Sequence, residues 1–568
     1  PVINNLNVNN GSISQQVIIS GNNFPTNLAN VKVFFGSVSG NVIATSINSI
    51  EVEVPAGTTT DNVLVINTSN GLSGSSNSQF FLSYSGNNFN PALMDSEVSY
   101  PSSVELLDLC LCDFDGDGKS EVASTKVNTD TDILIFENNS VVETINLSEL
   151  NGGTNPELDL ASPTSNITCG DIDGDGLPDL VVSKTGNPRN VVYVLENISN
   201  AGNIQFKAAI SLFLTTEEIA KRLEIKDIDF DGKPEIIVSN TFNENLKIFR
   251  NTSTGGNIQF NATPITVAMT GAATTNGLVV EDLNGDLLPD LATNPFFGSN
   301  IFIRFNNSTP GNFNFGNVQI INVPGNLNSI TPGDFNNDGK IDMAVTKTVQ
   351  NEVAVLENLT TTNGSTASFT EYILSTDGNP WGIHATDMDG DGFNDLLVAL
   401  RDVNTINVFE NTGNGTSISF SKHAVSTTLY SRNVIGGDID GDAKPDIAFT
   451  SFNGGPQYSL SIIRNSNCYK PVIEPLGPVT ICAGSSVVLS ARKGVGITYS
   501  WDKDNVVFKT GLEDTIIVTE QGVYKVITES QSGTCTEISN AVIANPGAGG
   551  VPSDPIINNN GPFCHGVD

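Results

Sequence analysis

Asp113-Phe-Asp-Gly-Asp-Gly-Lys-Ser-Glu121 lies between two short apolar runs, Leu106-Leu-Asp-Leu-Cys-Leu-Cys112 and Val122-Ala-Ser-Thr125. The pattern D-x-[DN]-x-D-x-x-x-[DE] returns at Asp171, Asp227, Asp282, Asp334, Asp387 and Asp438, at offsets of 58, 56, 55, 52, 53 and 51 residues. Downstream of each copy a third apolar run ends in asparagine: Asn138, Asn197, Asn251, Asn306, Asn358, Asn411 and Asn465. A polar turn and a fourth run introduced by Phe follow in most copies, as at Phe206, Phe260, Phe369 and Phe420. Four short strands in a period of about 50 residues predict one propeller blade per copy. The seventh copy has only three strands before Cys468. The segment running from Asn88 to Val98 resembles the Phe-introduced fourth strands, so residues 92–99 are expected to complete blade seven and close the ring.

Carboxylates at positions 1, 3, 5 and 9 of a tight turn converge on one point. Six to eight hard oxygens at about 2.3–2.6 Å suit Ca²⁺ better than the smaller Mg²⁺ octahedron. The expected ligands are Asp113, Asp115, Asp117 and Glu121 in loop one; Asp171, Asp173, Asp175 and Asp179 in loop two; and Asp227, Asp229, Asp231 and Glu235 in loop three. Loops four and five would use Asp282, Asn284, Asp286 and Asp290, and Asp334, Asn336, Asp338 and Asp342. Loops six and seven would use Asp387, Asp389, Asp391 and Asp395, and Asp438, Asp440, Asp442 and Asp446. Asn284 and Asn336 each remove a charge, and Leu287 and Ala443 replace the position-6 glycine, where side chains resist left-handed angles. Up to seven structural Ca²⁺ are expected, with loop four the weakest site. The flanking units lack such loops and are expected to be indifferent to the metal.

The 568 residues carry 62 Asp+Glu against 26 Lys+Arg, a formal charge of -36. Phosphate backbones repel such a surface, so nucleic acid is not an expected partner. No apolar run reaches the length of about 18 residues needed to span a membrane as a helix. The chain begins at Pro1 without a signal peptide and is expected to be a processed or cropped part of a longer protein. His384, His423 and His565 form no H-E-x-x-H arrangement, and neither a G-x-S-x-G elbow nor a P-loop occurs. No catalytic residue is therefore assigned. The repetition of the Asp pairs in every blade reads as structure rather than as glycoside hydrolysis.

The sevenfold motif between residues 87 and 467 resembles the FG-GAP/VCBS repeats of integrin-α-like seven-bladed propellers. Residues 1–86, with Gly21-Asn-Asn-Phe24 and Val31-Lys-Val-Phe-Phe-Gly36, resemble an IPT/TIG Ig-like β-sandwich. Residues 468–546, with Tyr499-Ser-Trp501 and Gly522-Val-Tyr-Lys-Val526, resemble an Ig-like/PKD-like domain of Bacteroidetes surface proteins. Residues 547–568 read as a linker and the start of a further repeat. The expected fold class is all-β, a seven-bladed propeller flanked by Ig-like sandwiches. Cys482 and Cys535 flank the C-terminal domain and are expected to bridge it. Cys110, Cys112 and Cys169 precede loops one and two, and strand alternation leaves their pairing open.

The resemblance implies an extracellular or cell-surface protein, of a kind often exported by type IX secretion. Its expected function is that of a calcium-binding adhesin or appendage subunit that holds cells, surfaces or polymers through a cell-surface protein or glycan. It could belong to a larger surface assembly. A lectin-like propeller, or an accessory module of a polysaccharide-active enzyme, is the alternative. Ligand contact is expected on the face opposite the acidic loops, at Lys221, Arg222, Trp381, Tyr430 and Arg432, with Arg401 beside them. The competing reading makes Trp381 a plug between blades.

Overall fold

The computed structural model describes residues 1–546 except 84–88, 128–132, 151–157, 159, 161–163, 185–189, 216–217, 242, 362–365, 416, 456, 469–470, 476, 482–484, 492–493, 531–532 and 534–535. Among the described residues the only helices are two single 3₁₀ turns, Leu28–Asn30 and Pro91–Leu93; the fold is all-β. The described chain forms two compact units. The first holds residues 1–83 and nearly all of 90–466, and the second holds the C-terminal domain.

Seven four-stranded antiparallel sheets follow one another in the first unit. Their inner strands are Leu106–Cys112, Thr164–Gly170, Ala220–Lys226, Val279–Glu281, Leu327–Gly333, Pro380–Thr386 and Tyr430–Gly437. Each inner strand lies beside the next, and the last returns to the first, so the ring is closed. The second strand of most blades, such as Asp395–Leu400, is buried along its whole length, because neighbouring blades cover both of its faces. That double burial explains its continuous apolar character. Outer strands such as Phe369–Ser375 stay partly exposed along their length. Position 2 of every acidic loop is a fully buried apolar wedge: Phe114, Ile172, Ile228, Leu283, Phe335, Met388 and Ile439.

Closure uses a strand displaced from the expected one. Val98–Ser102, rather than residues 92–99, pairs antiparallel with Tyr458–Ile463 as the outer strand of blade seven. Upstream, an isolated bridge joins Met94 to Asn465 and Asp95 N donates to Arg464 O at 2.9 Å, without continuing the strand. Pro101 is tolerated there because an edge strand need not donate from every residue. Tyr100 sets the register by packing on Phe136 at 5.7 Å and accepting a hydrogen bond from Leu147 N at 3.0 Å. Leu106, Val122 and Leu134 of blade one share a core with Ile439, Leu460 and Ile462 of blade seven. Cys112 and Cys169 tie the inner strands of blades one and two by a disulfide, with Cα atoms 6.6 Å apart. Cys110 is a buried free thiol.

Residues 1–83 form a two-sheet sandwich. One sheet orders Val2–Leu6, Gln16–Asn22, Ser49–Glu53 and Asn41–Thr45; the other contains Leu72–Leu82, Asp61–Asn67 and Val31–Phe35. Gln16–Asn22 alternates strictly between exposed and buried, and Phe35 meets Phe80 edge-on at 4.8 Å in the core. This sandwich sits on the acidic-loop face of the propeller. Gly57 N donates to Asp438 Oδ2 at 3.0 Å, Ser73 N to Gly232 O at 2.8 Å, and Ser37 Oγ lies 3.1 Å from Ser120 Oγ. Lys226, at the end of an inner strand, reaches Asn62 Oδ1 at 3.1 Å and Glu281 Oε1 at 3.0 Å. The N-terminal flank is thus tied to the loops and is not an independent neighbour.

The C-terminal domain has two sheets over one core centred on Trp501, Tyr499, Leu489 and Val526. Trp501 Nε1 donates to Glu513 O at 3.3 Å. Cys468 is disulfide-bonded, and the expected Cys482–Cys535 bridge lies outside the described residues.

Candidate functional site: acidic loops and the opposite mouth

Every acidic loop follows the C-terminal end of an inner strand, so all seven share one face. The position-1 carboxylate accepts from the position-6 amide: Asp113 from Gly118 at 3.0 Å, Asp171 from Gly176 at 2.7 Å, Asp282 from Leu287 at 2.7 Å and Asp438 from Ala443 at 2.9 Å. That bond needs a left-handed residue at position 6. Gly118 and Gly176 supply it freely, while Leu287 and Ala443 adopt φ of 75° and 76° despite their side chains. The loop geometry overrides the local preference.

Position 9 works differently from the other acidic positions. One oxygen of Asp290 accepts from Leu283 N at 3.0 Å and the other from Asn306 N at 2.8 Å. Asp179, Asp342, Asp395 and Asp446 repeat the arrangement. The strand-three asparagines complete it. Asn306 Nδ2 donates to Pro289 O of its own loop at 2.9 Å and to Ile228 O of the preceding blade at 2.7 Å. Asn138 reaches Ile439 O across the closure at 2.9 Å, and Asn465 reaches Met388 O at 2.8 Å. These asparagines form a ring of interblade clamps. Their recurrence was visible in the sequence, but the carbonyls they meet come from the neighbouring repeat.

Oxygens from positions 1, 3 and 9 lie within 4.8 Å of one another in loops one, two, three, six and seven. Loops four and five, with Asn284 and Asn336, gather no third carboxylate, and the position-5 aspartates stand outside all five groups. These clusters could hold metal ions. Asp113 Oδ1, Asp173 Oδ2 and Asp227 Oδ1 are buried and accept no hydrogen bond from the described residues. A buried acceptor left unpaired calls for an ion or a water. Among the described residues four loops also pair a carboxylate with a cation; in loops one and five it is a partly exposed lysine, Lys119 at 4.0 Å from Asp117 and Lys340 at 3.0 Å from Asp338. Arg464, buried at the end of strand three, binds Asp440 and Asp442, and Lys444 lies 2.9 Å from Asp442. In loop three Arg250 lies 3.1 Å from Asp229. Two cations against four carboxylates halve the charge of loop seven, whereas loops one and two have, among the described residues, no buried cation against their carboxylates.

Burial, joined by repulsion between neighbouring carboxylates, pushes Asp171 to about 8, Glu121 to about 9, Asp227 to about 7 and Asp113 to about 6. These pKa values exceed those of the unfolded chain, so the metal-free folded state binds more protons. Its stability is then expected to fall as pH rises from about 4 towards about 9. Urea midpoints in chelator should be lower at pH 8 than at pH 5, and added Ca²⁺ should remove the difference. Equal midpoints in chelator would contradict the crowding of carboxylates seen here.

Residues 113–182, 171–238, 227–293, 282–345, 335–398 and 387–449 each match the FG-GAP-like repeat. The chain belongs to the FG-GAP-like repeat family. Residues 1–84 match the IPT/TIG domain. FG-GAP repeats joined to an IPT/TIG domain make a β-propeller module of the surface or adhesion type. No curated protein matches this FG-GAP chain significantly in sequence. Among solved structures, BBS1N in complex with ARL6DN is 13% identical, covering 66% of this chain and 97% of that one, with a TM-score of 0.42. An auxiliary nutrient binding protein from Bacteroides ovatus is 12% identical over 82% of this chain and 97% of that one, TM-score 0.33. One from Bacteroides thetaiotaomicron is 10% identical over 82% and 97%, TM-score 0.29. No helix among the described residues is long and apolar enough to cross a membrane.

At the other end of the FG-GAP channel, the N-terminal ends of the inner strands surround a cavity of about 270 Å³. Lys221, Arg222, Trp381 and Arg432 line it. Arg401 stacks over Trp381 at 4.4 Å, and Phe296 meets the indole edge-on at 6.1 Å. Tyr430 does not line the cavity; it packs edge-on against Phe452 at 5.8 Å. The Trp381 carbonyl accepts from Asn328 and Thr346, both at 3.2 Å, which fixes its backbone to blade five. His384 lies on the inner strand of blade six and His423 on its outer strand, Phe420–Ser426, while His565 lies outside the described residues. Burial lowers His384 to about 4, keeping it neutral, and His423 Nε2 lies 2.7 Å from Glu410.

Proposed function

We propose that this chain is an extracellular calcium-binding adhesion head, and not an enzyme. Calcium at loops one and two would stiffen the propeller, and the opposite mouth would meet a glycan or protein on the target surface. The observation that carries the reading is the set of orphaned, buried carboxylate oxygens on Asp113, Asp173 and Asp227, each within a converging acidic cluster. Asp113, Asp115 and Glu121, and Asp171, Asp173 and Asp179, would hold the ion, with Asp117 and Asp175 completing the shell. Calcium fits this hard, oxygen-only donor set, and extracellular calcium modules fill at about 10⁻⁴–10⁻³ M. Such sites would be occupied outside a cell and empty of calcium inside one.

The test is attachment of fluorescent full-length protein to cells and polymer-coated surfaces, with calcium and with chelator. Calcium-dependent attachment lost in Trp381→Ala supports the adhesin. Attachment unaffected by both chelator and that substitution overturns it. The lectin alternative is favoured by one feature, the aromatic and polar lining of the mouth.

A further inference from the structure

We propose that the mouth opposite the acidic loops is a binding site for the carboxylate of an acidic saccharide, such as a uronic or sialic acid residue. The proposal deepens the adhesion reading by naming the ligand's chemistry. It begins from charge. The whole chain carries -36, yet the residues lining this cavity include Lys221, Arg222 and Arg432 and no carboxylate. Local charge is therefore opposite to that of the molecule. An anion is drawn to this point and repelled by most of the remaining surface.

The cations differ in what they already hold. Arg222 Nη1 lies 3.2 Å from Asp108 Oδ2, and Arg432 pairs with Glu105; both acids belong to blade one and stand outside the lining. Asp108 is itself shared, accepting from Asn166 Nδ2 at 2.7 Å and from Asn433. Lys221 has no hydrogen bond or ion pair to its ammonium among the described residues. Its neighbours Arg222 and Arg432 add to the burial that lowers it to about 8, and Asp108 opposes them only in part. A ligand carboxylate would satisfy this ammonium directly. Thr241 Oγ1, in the same wall, is also buried without a partner.

The remaining lining fits a sugar better than a bare anion. Trp381 and Phe296 give an apolar wall of the kind that covers a pyranose face, and Asn276, Asn328 and Ser329 offer amide and hydroxyl groups for ring hydroxyls. The volume, about 270 Å³, accommodates a terminal residue rather than a long chain.

The experiment titrates full-length protein in calcium buffer, by calorimetry, with sialyllactose and a galacturonate oligomer. Lactose and the methyl-esterified oligomer serve as neutral counterparts, and inorganic phosphate and a Glu-rich peptide as other anions. The carboxylated sugars are expected to bind at least about tenfold more tightly than their neutral counterparts and than either other anion. Lys221→Met should weaken binding about tenfold or more, and Lys221→Arg should retain it. Affinity should fall about tenfold between pH 7 and pH 9 in the parent as Lys221 loses its proton beside Arg222, Arg432, Asp108 and Glu105. In Lys221→Arg it should be level over that range. No preference for the carboxylated sugars, equal binding of phosphate or peptide, or an unchanged pH profile in Lys221→Arg would each overturn the proposal. Cell attachment does not enter this titration. Sugar binding without attachment would sink the adhesin alone, and attachment without sugar binding would sink this site alone.

Discussion

Chelation at pH 7.5 should lower the melting temperature of the first unit by about 5–10 °C and leave the C-terminal domain in place. An ion that binds only the folded state stabilises it by about 2.7 kcal/mol per site at a hundredfold excess over Kd. Two filled sites, at loops one and two, would add about 5 kcal/mol, the lower end of a domain's whole net stability of about 5–15 kcal/mol. For a domain this large, each kcal/mol moves the midpoint by about 1–2 °C. The N-terminal sandwich should melt with the propeller, because Gly57 and Ser73 bond directly to loops seven and three. Calorimetry with and without chelator resolves the two units. Replacing Asp171 and Asp173 with Ala removes one of these sites and should reproduce about half of the chelator's effect, while the same change at Asp282 and Asn284 should do less, since loop four gathers no third carboxylate. A chelator-independent melt would remove calcium from the account.

Asn306→Ala should destabilise the propeller by about 4 kcal/mol whether or not calcium is present. Asn306 is fully buried. Its Nδ2 satisfies Pro289 O and Ile228 O, and its Oδ1 accepts from Ser308 N at 2.9 Å. Truncation leaves two carbonyls and one amide unpaired in a packed seam, at about 1–3 kcal/mol each. Asn306→Asp should be nearly as damaging, because it replaces the donor with a further acceptor. Urea denaturation in chelator and in calcium should give the same loss. A loss that vanished in chelator would make Asn306 part of the metal site instead of an interblade clamp.

Sequence alone determined the repeat, the strand count per repeat and the position of every acidic loop. Each is a local feature: alternation, turn chemistry and carboxylate spacing recur within about 50 residues and need no distant partner. The tertiary structure decided what depends on distant neighbours. Val98–Ser102 closes the ring because Tyr100 finds Phe136 and Leu147 of blade one; the Phe-led pattern of the other blades pointed a few residues upstream. Cys110 and Cys112 lie two residues apart on one strand face, and Cys112 bridges because Cys169 of the next blade comes within reach of it. Arg464 reads as an ordinary strand-end residue, yet the fold lays its guanidinium between Asp440 and Asp442. The N-terminal sandwich reads as a separate module, yet it sits on the loops. Its hydrogen bonds there join groups from 83 residues apart, Ser37 and Ser120, to 381 apart, Gly57 and Asp438, and no local periodicity encodes such a contact.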